Sequence, residues 1–118
     1  MSNNSQIAFN PLGKTVVVPA AGTASTAVQA PVLAKYNPQN TGQYRFINAG
    51  IVTVFLGTGP TAAIAQAAAV APVAGTPSDA IVLVPGAVEV LRFNIDTYFS
   101  GLTSTSTATV YITPGQGI

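Results

Sequence analysis

The groups able to do chemistry are few. The 118 residues contain three carboxylates, Asp79, Glu89 and Asp96, and four cations, Lys14, Lys35, Arg45 and Arg92, with no histidine and no cysteine. A Ser-His-Asp arrangement therefore has no base. Thiol chemistry has no sulfur, and a metal site built on imidazole or thiolate has no ligands. An oxygen-ligand calcium site needs several carboxylates close together, a spacing that Asp79, Glu89 and Asp96 do not supply. A Ser-Lys pair is formally available, but neither Lys14 nor Lys35 sits in a recognisable motif. Glu89 and Asp96 could converge across a strand and its following loop, as the two acids of a glycosidase do. The simpler reading, adopted here, makes Glu89 a solvated strand residue and Asp96 a turn former. No residue is assigned a catalytic, cofactor-binding or metal-binding role, and the chain is expected not to be an enzyme.

One motif tests that expectation. Gly57-Thr58-Gly59-Pro60-Thr61-Ala62 matches G-x-G-x-x-A between an expected strand and an expected helix, and Asp79 follows about twenty residues on. A dinucleotide site places that acid at the end of the next parallel strand, whereas Asp79 precedes the next strand here. Nothing afterwards alternates strand with helix. The glycines are therefore read as belonging to a loop with a capped helix, and no cofactor is expected. A P-loop is excluded because no Gly-Lys-Ser/Thr follows.

Charge is also scarce as a whole: 6% of residues are charged, against roughly 25% in an ordinary domain, and the net charge is +1. A surface built from neutral polar and small side chains offers little repulsion between copies, so the chain reads as a subunit packed among copies of itself. The scattered cations do not form the cluster that phosphate neutralisation needs, so nucleic acid is not an expected partner. The start, Met1-Ser2-Asn3-Asn4-Ser5-Gln6, lacks the basic and apolar regions of a secretory signal. The glycosylation sequon Asn3-Asn4-Ser5 is accordingly read as chance. The most apolar stretch, Ala62 to Ala71, is too short and too weakly hydrophobic to span a bilayer, so no membrane partner is expected. Tyr36, Tyr44, Tyr98 and Tyr111, with Phe9, Phe46, Phe55, Phe93 and Phe99, are read as core or interface anchors in preference to a sugar-binding platform.

The elements that must position these groups are mostly strands. Residues 1–13 read as a polar N-terminal arm ending in Asn10-Pro11-Leu12-Gly13, residues 14–113 as one domain, and residues 114–118 as a loose tail. Within the domain, Lys14–Val18 is a β-branched run stopped by Pro19, and Thr26–Leu33 is an edge or broken strand because of Pro31. Tyr36 to Gly42 is a turn cluster. Gln43–Ile47 and Ile51–Leu56 flank Asn48-Ala49-Gly50 and are expected to form a bulged hairpin. Pro60–Ala71 is the one helix, capped by Thr58 or Gly59 and stopped by Pro72. Val73–Asp79 is a loop. Ala80–Val84 and Ala87–Phe93 are expected to pair across Pro85-Gly86, and Thr97–Ser100 is a short apolar piece. In the last strand Ala108, Val110 and Ile112 alternate with Thr107, Thr109, Tyr111 and Thr113, placing the first set on the core. Short strands with closely spaced turns predict a mostly β fold, an antiparallel β-sandwich or jelly roll with one short helical connection.

Three segments together resemble small virion proteins of tailed bacteriophages. They are Asn48-Ala49-Gly50 leading into Ile51–Phe55, Val84-Pro85-Gly86-Ala87-Val88-Glu89-Val90, and Thr107-Ala108-Thr109-Val110-Tyr111-Ile112-Thr113-Pro114-Gly115-Gln116-Gly117. The similarity covers roughly the C-terminal two-thirds and is carried by turn-and-strand patterns. It implies a structural component of the virion, made in the host cytoplasm, and within that class a head decoration (cement) protein that binds between capsomers. The implied partners are a major capsid protein and other copies of the chain, in a three-fold cluster for example. The alternatives are a phage tail or adaptor component, or a host glycan- or receptor-binding module. The arm, Ser2 to Gly13, and the tail, Thr113 to Ile118, are the expected contact segments.

Overall fold

The computed structural model describes residues 9–11, 13–30 and 41–116. The fold is mostly β, with strands β1 (Asn10–Pro11), β2 (Val16–Ala21), β3 (Val28–Gln29), β4 (Thr41–Asn48), β5 (Val54–Gly59), β6 (Ile81–Leu83), β7 (Val88–Asn94), β8 (Tyr98–Leu102) and β9 (Ala108–Gln116), and one helix, α1 (Ala62–Ala68). All nine strands belong to a single sheet whose main order is β6-β5-β8-β2-β9-β4-β7, with β1 on β9 and β3 on β8. The sheet curls into a nearly closed, barrel-like wall. Two separate layers, as a sandwich would have, are not distinguished. Every pairing is antiparallel except β2 with β8, where Ala20 lies beside Gly101 and Ala21 beside Leu102.

Alternation of side chains across the wall builds the core. Val18, Tyr44, Phe46, Val54, Leu56, Leu83, Phe99, Val110 and Ile112 are fully buried inside it. Phe46, Phe93 and Phe99 meet edge to face with centroids 5.2 to 5.8 Å apart, the arrangement that aromatic quadrupoles favour. The register expected for the last strand holds: Ala108, Val110 and Ile112 are buried and Tyr111 is exposed. Thr113 departs from the pattern. It is outward by parity yet buried, with its hydroxyl 2.7 Å from that of Thr15.

Several boundaries move. β2 runs through Pro19, which pairs with Thr109 on one side; its other edge meets β8 only from Ala20 onward, so the missing N–H falls where the ladder is incomplete. The expected tail is strand: β9 continues through Pro114, Gly115 and Gln116, paired with β4 on one edge and β1 on the other, and Pro114 and Gly115 are buried. The end of the expected arm is likewise in the sheet, since Asn10 and Pro11 pair with Gln116 and Gly115. Residues 1–8, Leu12, Pro31 to Asn40 with Lys35 and Tyr36, and residues 117–118 lie outside the described residues. The helix is shorter than Pro60–Ala71. Thr61 caps it, its hydroxyl accepting from the Ile64 N–H, and Ala69 closes it.

Both expected hairpins are corrected. β4 pairs with β7 and β9, not with β5, and β6 pairs with β5, not with β7. Asn48-Ala49-Gly50 and Pro85-Gly86 instead carry the chain between the two ends of the sheet. The Pro85-Gly86 turn itself is present: the Ala87 N–H donates to the Val84 carbonyl at 2.9 Å, and Gly86 has φ +79°, the left-handed value that a type II turn reserves for glycine.

Candidate functional site

The residues that sequence reasoning weighed for chemistry are not brought together. Glu89 lies opposite Phe46 on β7, and Asp96 lies in the turn after β7. At about 3.4 Å per residue, the strand from Glu89 to Asn94 already spans roughly 17 Å, beyond the roughly 5–10 Å of a glycosidase pair. Asp79 is exposed between α1 and β6, remote in the chain from both. Among the described residues there is no group of three or more acidic, His or Cys side chains able to hold a metal ion, and no helix long and apolar enough to cross a membrane.

The G-x-G-x-x-A segment has a packing role. A Cβ on Gly57 would collide with the Ala65 carbonyl and the Ala69 amide of α1, and one on Gly59 would collide with Ile64. Helix and strand therefore approach at backbone distance, and the space above Gly57 that a pyrophosphate would need is filled by α1. The small face of the helix is what permits this: Ala65 and Ala69 are buried against β5. Ser25 ties the same region to β8. Its carbonyl accepts from the Ser100 hydroxyl at 2.7 Å and from the Gln66 amide at 3.0 Å, and its hydroxyl accepts from the Gly101 N–H at 3.0 Å.

Asn48 closes the wall at one end. Its side-chain amide donates to the Leu83 carbonyl at 2.8 Å and the Val52 carbonyl at 2.9 Å, and its oxygen accepts from the Gly50 N–H at 2.9 Å. Its backbone N–H donates to Ala87 and its carbonyl accepts from Gly86. One buried residue thus joins β4 to β6, to the approach to β5, and to the turn before β7. Gly50 fits beside it because any Cβ there would strike Ala108. Sequence reasoning noticed Asn48-Ala49-Gly50 as a turn and missed this role; the signal was an asparagine followed two residues later by glycine, a pattern in which the side chain bonds its own backbone.

At the opposite end no such closure is seen among the described residues. A cleft of about 1020 Å³ lies between the end of β5 and the β7–β8 turn, lined by Thr58, Gly59, Pro60, Arg92, Phe93, Asn94, Asp96 and Thr97. Behind it lies Tyr44, fully buried, whose hydroxyl has no hydrogen-bond partner among the described residues. Burial, reinforced by the negative charge of Asp96, pushes its phenol above the usual tyrosine range. Arg45 has a buried Nε without a hydrogen-bond partner among the described residues, and its guanidinium lies 5.2 Å from the Phe9 ring centroid, within cation–π range.

The outer face carries a different feature. Val17, Tyr111, Ile47 and Val88 are consecutive cross-strand partners on β2, β9, β4 and β7, a single apolar row across four strands. Val17 is 49% exposed, Tyr111 39% and Val88 58%, and Ile51 beyond Asn48 is 84% exposed. The aromatics divide accordingly: Tyr44, Phe46 and Phe99 are core, Phe93 joins them, and Tyr111 is a surface residue. No family model matches the chain, and no curated protein or solved structure matches it.

Proposed function

We propose that the chain is a non-catalytic structural subunit of a bacteriophage virion, a head decoration (cement) protein that binds between capsomers and associates with copies of itself. The observation that carries the reading is the uncharged apolar row Val17–Tyr111–Ile47–Val88 across four strands of a chain in which 6% of residues are charged. Scattered apolar surface residues need no explanation, but two valines, an isoleucine and a tyrosine in register make a continuous strip, the kind of surface that marks an interaction site. Burying the exposed halves of Val17, Tyr111 and Val88 is worth about 3 kcal/mol per copy at roughly 1 kcal/mol each. That is weak for a soluble dimer and adequate for a subunit held at many equivalent places on one particle. The phage setting is supported by the resemblance of the Asn48, Val84–Val90 and Thr107–Gly115 segments, and a sandwich or jelly roll, as a flattened form of the same wall, belongs to this proposal too.

The test is co-sedimentation with particles lacking the protein. Wild type is expected to bind, and Val88→Glu and Tyr111→Glu, both at exposed positions, to keep their circular dichroism and lose binding. A protein that stays monomeric, ignores particles and instead binds cell-surface sugar refutes the decoration reading.

A further inference from the structure

We infer that a second apolar row, on the other side of the wall, receives the first row of a neighbouring copy, with the clefts of both copies on the same side. The inference rests on the reading of the chain as an assembling subunit and names the two surfaces that meet.

Val82 on β6, Phe55 on β5, Leu102 on β8 and Ala21 on β2 are consecutive cross-strand partners. Their chain neighbours Leu83, Leu56, Gly101 and Ala20 are buried, so alternation turns these four outward. Val82 is 48% exposed and the other three are partly buried. Val84, the next outward position after β6, is exposed as well. So is Val70, one residue past the Ala69 amide that sits over Gly57. The first row, Val17–Tyr111–Ile47–Val88, crosses the other half of the strand order. The two rows share only β2 and face nearly opposite ways around the curled sheet. Two unlike apolar strips on opposite sides suit a heterologous contact, in which each copy offers one strip and accepts the other. Successive copies then extend as a line or a wide ring instead of closing as a pair.

Direction and charge select this pairing. β4 runs from the cleft end toward Asn48, and β2 runs parallel with it because both are antiparallel to β9. Lys14, Arg45 and Arg92 therefore all lie on the cleft side of the first row. β6 is antiparallel to β5, whose end at Thr58 and Gly59 lines the cleft, so Asp79 lies on the cleft side of the second row. The other two carboxylates are Glu89, on the opposite face of β7, and Asp96, in the turn beyond it. The far rim, residues 49–53, 85–86 and 104–107, has no charge.

Seen from outside, the strand order runs the same way through both rows, so they are reversed when set face to face. With both clefts on one side, Val88 meets Val82, Tyr111 meets Leu102 and Val17 meets Ala21. Arg92 lies four residues, roughly 13 Å, above Val88, and Asp79 lies three residues, up to roughly 10 Å, above Val82. Opposite charges thus come to neighbouring levels. Pairing the first row with itself about a two-fold axis sets the cations against each other or against the uncharged rim. A surface charge pair adds little affinity, but it decides orientation.

The chain has no cysteine, so a single engineered thiol reports one contact. Val88→Cys and Val82→Cys chains, each checked by circular dichroism, are mixed at high concentration and oxidised. The mixed disulfide is expected to exceed either homodimer about tenfold. Val88→Cys mixed with Ala21→Cys, the ends that the reverse orientation brings together, is expected to stay at background. Asp79→Arg in the Val82→Cys chain is expected to lower the mixed product about threefold, and Arg92→Asp in its partner to restore it. Homodimers of Val88→Cys as the main product, or no disulfide between copies, overturn the contact. The assembling reading then stands if the wild-type chain still co-sediments with particles and falls if it does not. A Val82→Glu chain that loses particle binding while Val82→Cys never cross-links assigns the second row to the particle and also overturns the contact.

Discussion

Asn48→Ala removes three side-chain hydrogen bonds and leaves the Leu83 and Val52 carbonyls and the Gly50 N–H without their partner. At about 1 kcal/mol net per bond, with more where the orphaned group stays dry, the loss is about 3–4 kcal/mol. A domain stable by roughly 5–15 kcal/mol feels that strongly. With a urea slope of roughly 1–2 kcal/mol/M, the midpoint falls by about 2–3 M. The loss is also local: the amides of Gly50 and Gly86, whose acceptors are the two oxygens of Asn48, are expected to exchange faster than those of Val110 or Ile112. Asn48→Asp separates bonding from shape. Its carboxylate faces two carbonyl oxygens, which raises its pKa above the unfolded value of about 3.9. The variant is therefore most stable below that value and loses stability as pH rises through the raised one. A variant Asn48→Ala weaker by less than about 1 kcal/mol, or Asn48→Asp with no such slope, refutes the claim that this residue closes the wall.

Three further outcomes follow from the packing. Gly57→Ala drives a methyl into the backbone of α1 and is expected to cost about 1–3 kcal/mol, whereas Gly22→Ala, with open space at its Cβ, is near neutral; thermal unfolding of the two separates them. Val110→Asp puts an unpaired charge on a fully buried position and is expected to leave no folded protein by circular dichroism, so a folded, soluble variant shows the β9 register to be wrong. Tyr44→Phe removes a buried hydroxyl that has no partner among the described residues and is expected to stabilise by about 1–2 kcal/mol in urea. Because the folded phenol titrates above the usual value, wild-type stability is whole below about pH 10 and falls as pH rises beyond it, and the same scan of Tyr44→Phe lacks that component.

What could be read from the residues followed from local physics. The period of two in Thr107–Thr113 fixed which side chains of β9 face inward, because a strand has no other way to bury alternate positions. The turn at Pro85-Gly86 was legible as well, because proline and glycine supply the backbone angles a tight turn needs, and Gly86 takes the left-handed one. Partners were not legible. A turn signal states that the chain reverses and says nothing of which strand lies alongside, so both apparent hairpins were assigned to the wrong neighbours. Pro19 and Pro114 were taken as strand ends because proline lacks a donor, but that costs nothing where the ladder on that edge is incomplete or the strand is already held from its other residues.

The missed Asn48 role and the misread Gly57-Thr58-Gly59 motif share one cause. In both, a short polar or glycine segment had been weighed against ligands or turns, and the structure sets its own backbone against it: three of its own segments around Asn48, and α1 above Gly57. A curled sheet whose two end strands are not paired to each other must close its seam by other means. Among the described residues, one end is closed by the Asn48 side chain and the other holds the cleft beside the end strand β7. The same geometry leaves β7 paired with β4 alone among the described strands, and the outer apolar row ends on that strand at Val88. Surface and edge therefore meet on one element. Val88, 58% exposed, is thus the position where the outer surface can be altered without disturbing the core that Leu91 and Phe93 join on the same strand.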